Sequence, residues 1–139
     1  MTSAVFHHVA ISCKDMAKTE RFYSDHFGFR RSRVIPLGDT QIVFLRAGDV
    51  YLELFAAEGD APASPAGGDG PHYPGWRHIA FKVDSVDAKL AEMGGDAVVT
   101  LGPLDFDDFI PGWRTVWVAD PDGNIVEISQ GYADQSSAT

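Results

Sequence analysis

Across residues 6–13 apolar and polar side chains alternate with a period of two, the pattern of a half-buried strand. Asp15 then offers an N-cap. Glu20, Phe22, Tyr23 and Phe27 fit a helix, and Gly28 supplies its stop. Residues 31–36 read as a strand, and 40–45 and 49–55 as two more joined by the turn Ala47-Gly48-Asp49. The order then begins again. A strand at 78–83 leads to a helix at 86–93 that Gly94-Gly95 ends, and strands follow at 97–101, 115–119 and 125–129. Asp120-Pro-Asp-Gly-Asn124 has the composition of a tight turn between the last two. The chain therefore predicts βαβββ twice.

Residues 57–75 separate the copies with four prolines, five glycines and no hydrophobic period, as expected of a connector. The predicted organisation is one domain made of a module at 5–56, a linker at 57–75, a module at 76–132 and a small, polar, disordered tail at 133–139. Internal repetition is visible in the words themselves: His8-Val-Ala-Ile-Ser-Cys13 returns as His78-Ile-Ala-Phe-Lys-Val83. Each half also ends in a strand with one acid among apolar residues, Tyr51-Leu-Glu53-Leu-Phe55 and Ile125-Val-Glu127-Ile128.

Strand side chains alternate faces, so the partition of each strand follows directly. Val9, Ile11 and Cys13 share one face, and Ile79, Phe81 and Val83 repeat it; both triplets suit packing beneath a helix. His8 and His78 take the opposite face, beside the small Ala10 and Ala80. In the acidic strands Val50, Leu52 and Leu54 oppose Tyr51, Glu53 and Phe55, and Val126 and Ile128 oppose Ile125, Glu127 and Ser129. If each sheet curls with its helix outside, all four polar groups face the concavity. An unpartnered carboxylate on a half-buried strand costs several kcal/mol, so two carboxylates and two imidazoles in equivalent positions fit best around a divalent cation. A lone strand histidine is more often a satisfied core residue, and a lone glutamate an ion-pair partner; the duplicated context favours metal. The same alternation assigns His7 to the Val9 face and rejects it as a ligand, while His26 and His72 read as surface residues.

Composition narrows the partners. At 139 residues, 45% apolar and 22% charged, the chain is an ordinary globular domain able to bury a core. A formal net charge of −9 argues against nucleic acid and anionic membrane. Arg30, Arg31 and Arg33 form one basic cluster, read as a solvated edge. No apolar run approaches ~20 residues and the N-terminus lacks a signal-peptide pattern, so a cytoplasmic protein is expected. The single Cys13 excludes an internal disulfide and is expected in the core.

With these residues placed, the chain resembles the vicinal oxygen chelate superfamily, the glyoxalase/bleomycin-resistance/dioxygenase group, over about residues 7–132. The specific phrases are His8-Val-Ala-Ile with Phe22-Tyr23-x3-Phe27-Gly28, His78-Ile-Ala-Phe-x-Val-Asp84, and Asp120-Pro-Asp-Gly-Asn-x2-Glu127. The resemblance implies an α+β fold, two βαβββ modules forming a cupped half-barrel pair around one divalent metal ion (Ni, Zn, Co, Mn or Fe). It carries the metal ligands over as His8, Glu53, His78 and Glu127, which leave about two positions of an octahedral ion for chelation by neighbouring substrate oxygens. That is the glyoxalase I pattern, in which Glu127 resembles the catalytic base and Glu53 its counterpart. Methylmalonyl-CoA epimerases typically offer Gln at Glu53, and extradiol dioxygenases leave that position open. The family's module pairings imply a homodimer.

Two function classes follow. One is an enzyme, an isomerase, lyase or epimerase that moves a proton next to a metal-polarised carbonyl of a small substrate. The other is a metal-free binding protein of the bleomycin-resistance kind, with Tyr51, Phe55, Phe106, Phe109, Trp113 and Trp117 as substrate contacts that could stack a flat ligand. The complete ligand set favours the first. Phe106, Phe109 and Trp113 lie in residues 103–113, a candidate lid whose acids disfavour a polyanionic substrate, and residues after Glu53 show no match to a glutathione-binding segment.

Overall fold

A computed structural model describes residues 2–136. The chain divides into two compact units, Met1–Ser64 and Pro65–Thr139, so that 57–64 belong to the first and 65–75 to the second. Of the expected tail, residues 133–136 are exposed and without regular structure, and 137–139 lie outside the described residues.

The first unit contains β1 (His8–Cys13), α1 (Met16–Phe27), β2 (Arg30–Leu37), β3 (Thr40–Ala47) and β4 (Val50–Ala56). Asp15 caps α1 by accepting from the Lys18 N–H at 3.1 Å. Gly28 ends it at φ 73, a left-handed position that a side chain would strain. The sheet order is β1-β4-β3-β2, with β1 parallel to β4 and the other pairs antiparallel. Phe22 and Tyr23 of α1 are buried with Cys13, Val43, Leu45, Leu52 and Leu54, and α1 packs on β4.

The second unit repeats the design with β5 (Ile79–Lys82), α2 (Val86–Met93), β6 (Val98–Asp105), β7 (Arg114–Ala119) and β8 (Ile125–Gln130), in the order β5-β8-β7-β6. Ser85 caps α2 through the Ala88 N–H, and Gly94 opens a short 3₁₀ turn. Val86, Met93, Val116, Val118, Val126 and Ile128 form its core. The Asp120 carboxylate accepts from the Asp122 and Asn124 N–H groups, each at 2.9 Å, and so closes the β7–β8 turn. The architecture is the expected α+β fold of two βαβββ modules.

The differences from the sequence reading are local. β6 runs on through Gly102-Pro103, where a break was expected, because an edge strand tolerates a residue that donates nothing to the ladder. Its pairing with β7 is irregular there. β2 slips register between Arg31 and Arg33, leaving Ser32 to donate from its hydroxyl to the Phe44 carbonyl. β5 begins after His78 rather than at it. Val50, expected on the buried face with Leu52 and Leu54, is exposed because it starts its strand at the hairpin. Cys13 is buried as expected.

Candidate metal and substrate site

Strand register builds the same half-site twice. In the first unit β1 lies against β4 with Ala10 opposite Glu53, and β3 sets Phe44 on the other side of that glutamate. In the second, Ala80 lies opposite Glu127 on one side and Trp117 on the other. The alanines leave space above the sheet. His8 Nε2 comes within 3.2 Å of Glu53 Oε1, and His78 Nε2 within 3.2 Å of Glu127 Oε1. Each imidazole also meets the aromatic ring edge-on, His8 with Phe44 at 6.0 Å and His78 with Trp117 at 6.3 Å. Phe44 escaped the sequence reading; its signal was its register, not its composition.

The four residues singled out as ligands thus come together as two pairs. Among the described residues no three His, Cys, Asp or Glu side chains are grouped in one cluster. The donor chemistry of each pair suits a cation. His78 Nδ1 lies 2.7 Å from the Asp69 backbone carbonyl, which can only accept, so this nitrogen carries the hydrogen. Nε2 is then the ring nitrogen that faces the Glu127 carboxylate. Two lone-pair donors at such a separation fit a divalent ion of the Zn, Ni, Co, Mn or Fe type. An imidazole anchored through its other nitrogen is the usual support for such a ligand.

The loop carrying that carbonyl is itself tied down. Asp69 holds His72 at 2.8 Å and Arg77 at 3.3 Å, and its carboxyl lies below the ordinary range because His72 bonds to it. His72 is therefore a surface residue, as expected, but one with a structural task. In the first unit the support differs. His7 precedes β1 and escapes its alternation; its ring stacks on Tyr51 at 4.7 Å, with its Nδ1 2.8 Å from His8 Nδ1. The expected placement of His7 on the Val9 side is corrected by these contacts.

The aromatic candidates are distributed unevenly. Tyr51 and Phe55 flank Glu53 on β4, both half-buried, with Arg46 over the Tyr51 ring at 5.4 Å. Trp117 is buried, and its indole N–H has no hydrogen-bond partner among the described residues. Trp113 donates from Nε1 to Ser129 Oγ at 3.0 Å and packs against Phe106 at 5.0 Å. Phe109, 6.4 Å from Phe106, is 77% exposed. Residues 106–113 form a compact turn, with the Phe106 N–H bonded to the Trp113 carbonyl and the Gly112 N–H to Asp107. A cavity of about 300 Å³ opens on the second unit, lined by Ala80, Lys82, Trp113, Glu127, Ser129 and Tyr132. Lys82, Ser129 and Tyr132 were not marked as contacts from sequence. The basic cluster behaves as expected: Arg31 forms a paired contact with Glu20 on an exposed edge.

Comparison with known proteins bears on the family and the fold. The model of the Glyoxalase/Bleomycin resistance protein/Dioxygenase superfamily matches residues 5–128. Uncharacterized protein YwkD of Bacillus subtilis is 31% identical over 129 residues, 88% of this chain and 93% of its own length. Mouse mitochondrial methylmalonyl-CoA epimerase is 28% identical over 96 residues, 62% of this chain and 49% of that protein. Among solved structures, the fosfomycin resistance protein FosX of Listeria monocytogenes, complexed with Mn(II) and sulfate, shares the fold. It has a TM-score of 0.64 at 18% identity, with 95% of both chains covered. No helix among the described residues is long and apolar enough to cross a membrane.

Proposed function

The chain belongs to the glyoxalase/bleomycin resistance protein/dioxygenase superfamily, and from that premise we propose a metal-dependent isomerase, lyase or epimerase. It moves a proton next to a carbonyl of a small substrate. The observation that carries this reading is the duplicated His–Glu pair, with the same 3.2 Å approach in both modules. His8, Glu53, His78 and Glu127 would hold one divalent ion, and the bound ion would draw electron density from the substrate carbonyl. A complete set needs both modules, and a homodimer is the assembly we take. The epimerase relative supports proton transfer as the chemistry, and the manganese in FosX keeps Mn among the candidate ions.

The residues divide the work. Glu127 accepts the proton from the carbon beside the carbonyl and, then protonated, returns it to the substrate, with Glu53 as its counterpart in the first module. His78 is kept in one tautomer by the Asp69 carbonyl. Phe44 and Trp117 cover the glutamates from the neighbouring strands, which keeps water from the carboxylates and strengthens their interactions. Trp113 supplies an apolar wall for the body of the substrate.

Elemental analysis of protein purified without added metal tests the proposal. Stoichiometric metal, or uptake of nickel, cobalt, zinc or manganese that Glu127→Ala abolishes, is the expected result. A protein that takes up none of these is instead the metal-free binder. A turnover screen comparing a methylglyoxal–thiol adduct with an acyl-CoA epimerisation then separates lyase from epimerase.

A further inference from the structure

The two half-sites match at the metal pair and diverge one pleat further along the strands. In the first unit the next inward-facing row pairs Ser12 with Phe55. In the second it pairs Lys82 with Ser129. Lys82 follows Ala80 and His78 on one face of the chain, and Ser129 follows Glu127, so this row stands about 7 Å from the Ala80–Glu127 row. Both residues line the 300 Å³ cavity that also contains Glu127.

Their hydrogen-bonding capacity is open. Lys82 makes no ion pair among the described residues, although the chain carries a net charge of −9. Arg114 is committed to Asp105 and Asp87, each at 3.0 Å, leaving Lys82 as the cation of this cavity. The Ser129 oxygen accepts from the Trp113 indole, which leaves the hydroxyl hydrogen to donate elsewhere. An ammonium and a hydroxyl facing each other across one rung present two donors to a pair of oxygens on one centre. The remaining wall is apolar: Trp113 packs against Phe106 on one side and, at 5.9 Å, against Tyr132 on the other. Tyr132 follows Gly131, which at φ 81 lies so close to the Gly112 carbonyl that any Cβ would collide.

We infer that Lys82 and Ser129 form a carboxylate subsite, and that the substrate is a small acid with a flat apolar body. Its carboxylate sits about 7 Å from the atoms that meet Glu127. A single cation and one hydroxyl suit one carboxylate, and Asp105, Asp107 and Asp108, in the segment that leads to Trp113, oppose a polyanion. The inference deepens the proposed function, since it takes Glu127 as the reacting end of the same cavity.

The test uses 2-naphthoate and its neutral isostere 2-naphthamide as calorimetric probes, on the full chain with and without metal. Wild type is expected to bind the acid at least about tenfold more tightly than the amide, the scale of one charge-assisted hydrogen bond. Lys82→Met should reduce that ratio to near one, and Lys82→Arg should keep most of it. Lys82 is exposed, so neither variant is expected to disturb folding. Equal binding of acid and amide to wild type, no binding of either at millimolar concentration, or an unchanged ratio in Lys82→Met overturns the inference. Metal uptake reports on the proposed function alone. Discrimination that persists in chelator-treated protein lacking any metal affinity would retain the subsite and discard the metalloenzyme.

Discussion

The two modules hold the same His–Glu pair by different means. In the second, a main-chain carbonyl fixes the imidazole, and the loop bearing it is clamped by Asp69 to His72 and Arg77. In the first, the support is another side chain, His7, whose own position depends on stacking against Tyr51. A carbonyl has one role as an acceptor, whereas an imidazole can donate or accept. The exposures follow suit: the His8 side chain is 37% exposed and that of His78 21%. The His–Glu pair thus recurs while its supports differ, which leaves the second pair the more preorganised.

The largest effects should come from the proposed ligands. His8→Ala, His78→Ala or Glu127→Ala is expected to lower metal affinity by about a hundredfold or more, since even supporting residues cost 10–100-fold. His7→Ala should cost only about tenfold. Competition against a chromogenic chelator reads all four. If His7→Ala matches His8→Ala in size, the first module uses the other imidazole of the pair and its ligand assignment changes.

How far the sequence reveals this site depends on what each residue's position rests upon. His8, Glu53, His78 and Glu127 stand out because the repeat marks them and strand alternation sets their faces. Phe44 did not, because its closeness to Glu53 comes from a β3–β4 register that no local pattern announces. Asp69 was hidden in a segment that reads as a connector, since a carbonyl acceptor has no side-chain signature. His7 was misplaced because alternation was extended one residue beyond the strand that enforces it. The run of β6 through Pro103 escaped for a related reason: a proline is excluded from a central strand but not from an edge, and edge status is a tertiary fact.

The aromatic residues opposite the glutamates give a second way to probe the asymmetry. Trp117 is buried and Phe44 half-buried, although their registers are equivalent. Trp117→Ala is expected to cost about 3–5 kcal/mol, and Phe44→Ala about half of that, because less surface leaves the solvent. Urea unfolding of each variant measures both. Equal losses would mean that Phe44 is covered in the assembled protein as fully as Trp117 is.

The smallest effect concerns the clamp that only the second module has. The hydrogen bond from His72 keeps the Asp69 carboxyl below its ordinary range, with Arg77 adding to it. Such a group stabilises the folded chain fully above its unfolded value, about 3.9, and the contribution disappears as pH falls through the lower folded value. Asp69→Asn keeps the backbone carbonyl that bonds His78 but removes the charge. Wild type should therefore exceed the variant by less than about 1 kcal/mol at neutral pH, because the partners are largely solvated. The two urea midpoints should converge as pH falls below that folded value. A gap that stays constant with pH would show that the loop is held by shape rather than by the carboxylate charge. The carbonyl beneath His78 would then be fixed by the backbone alone.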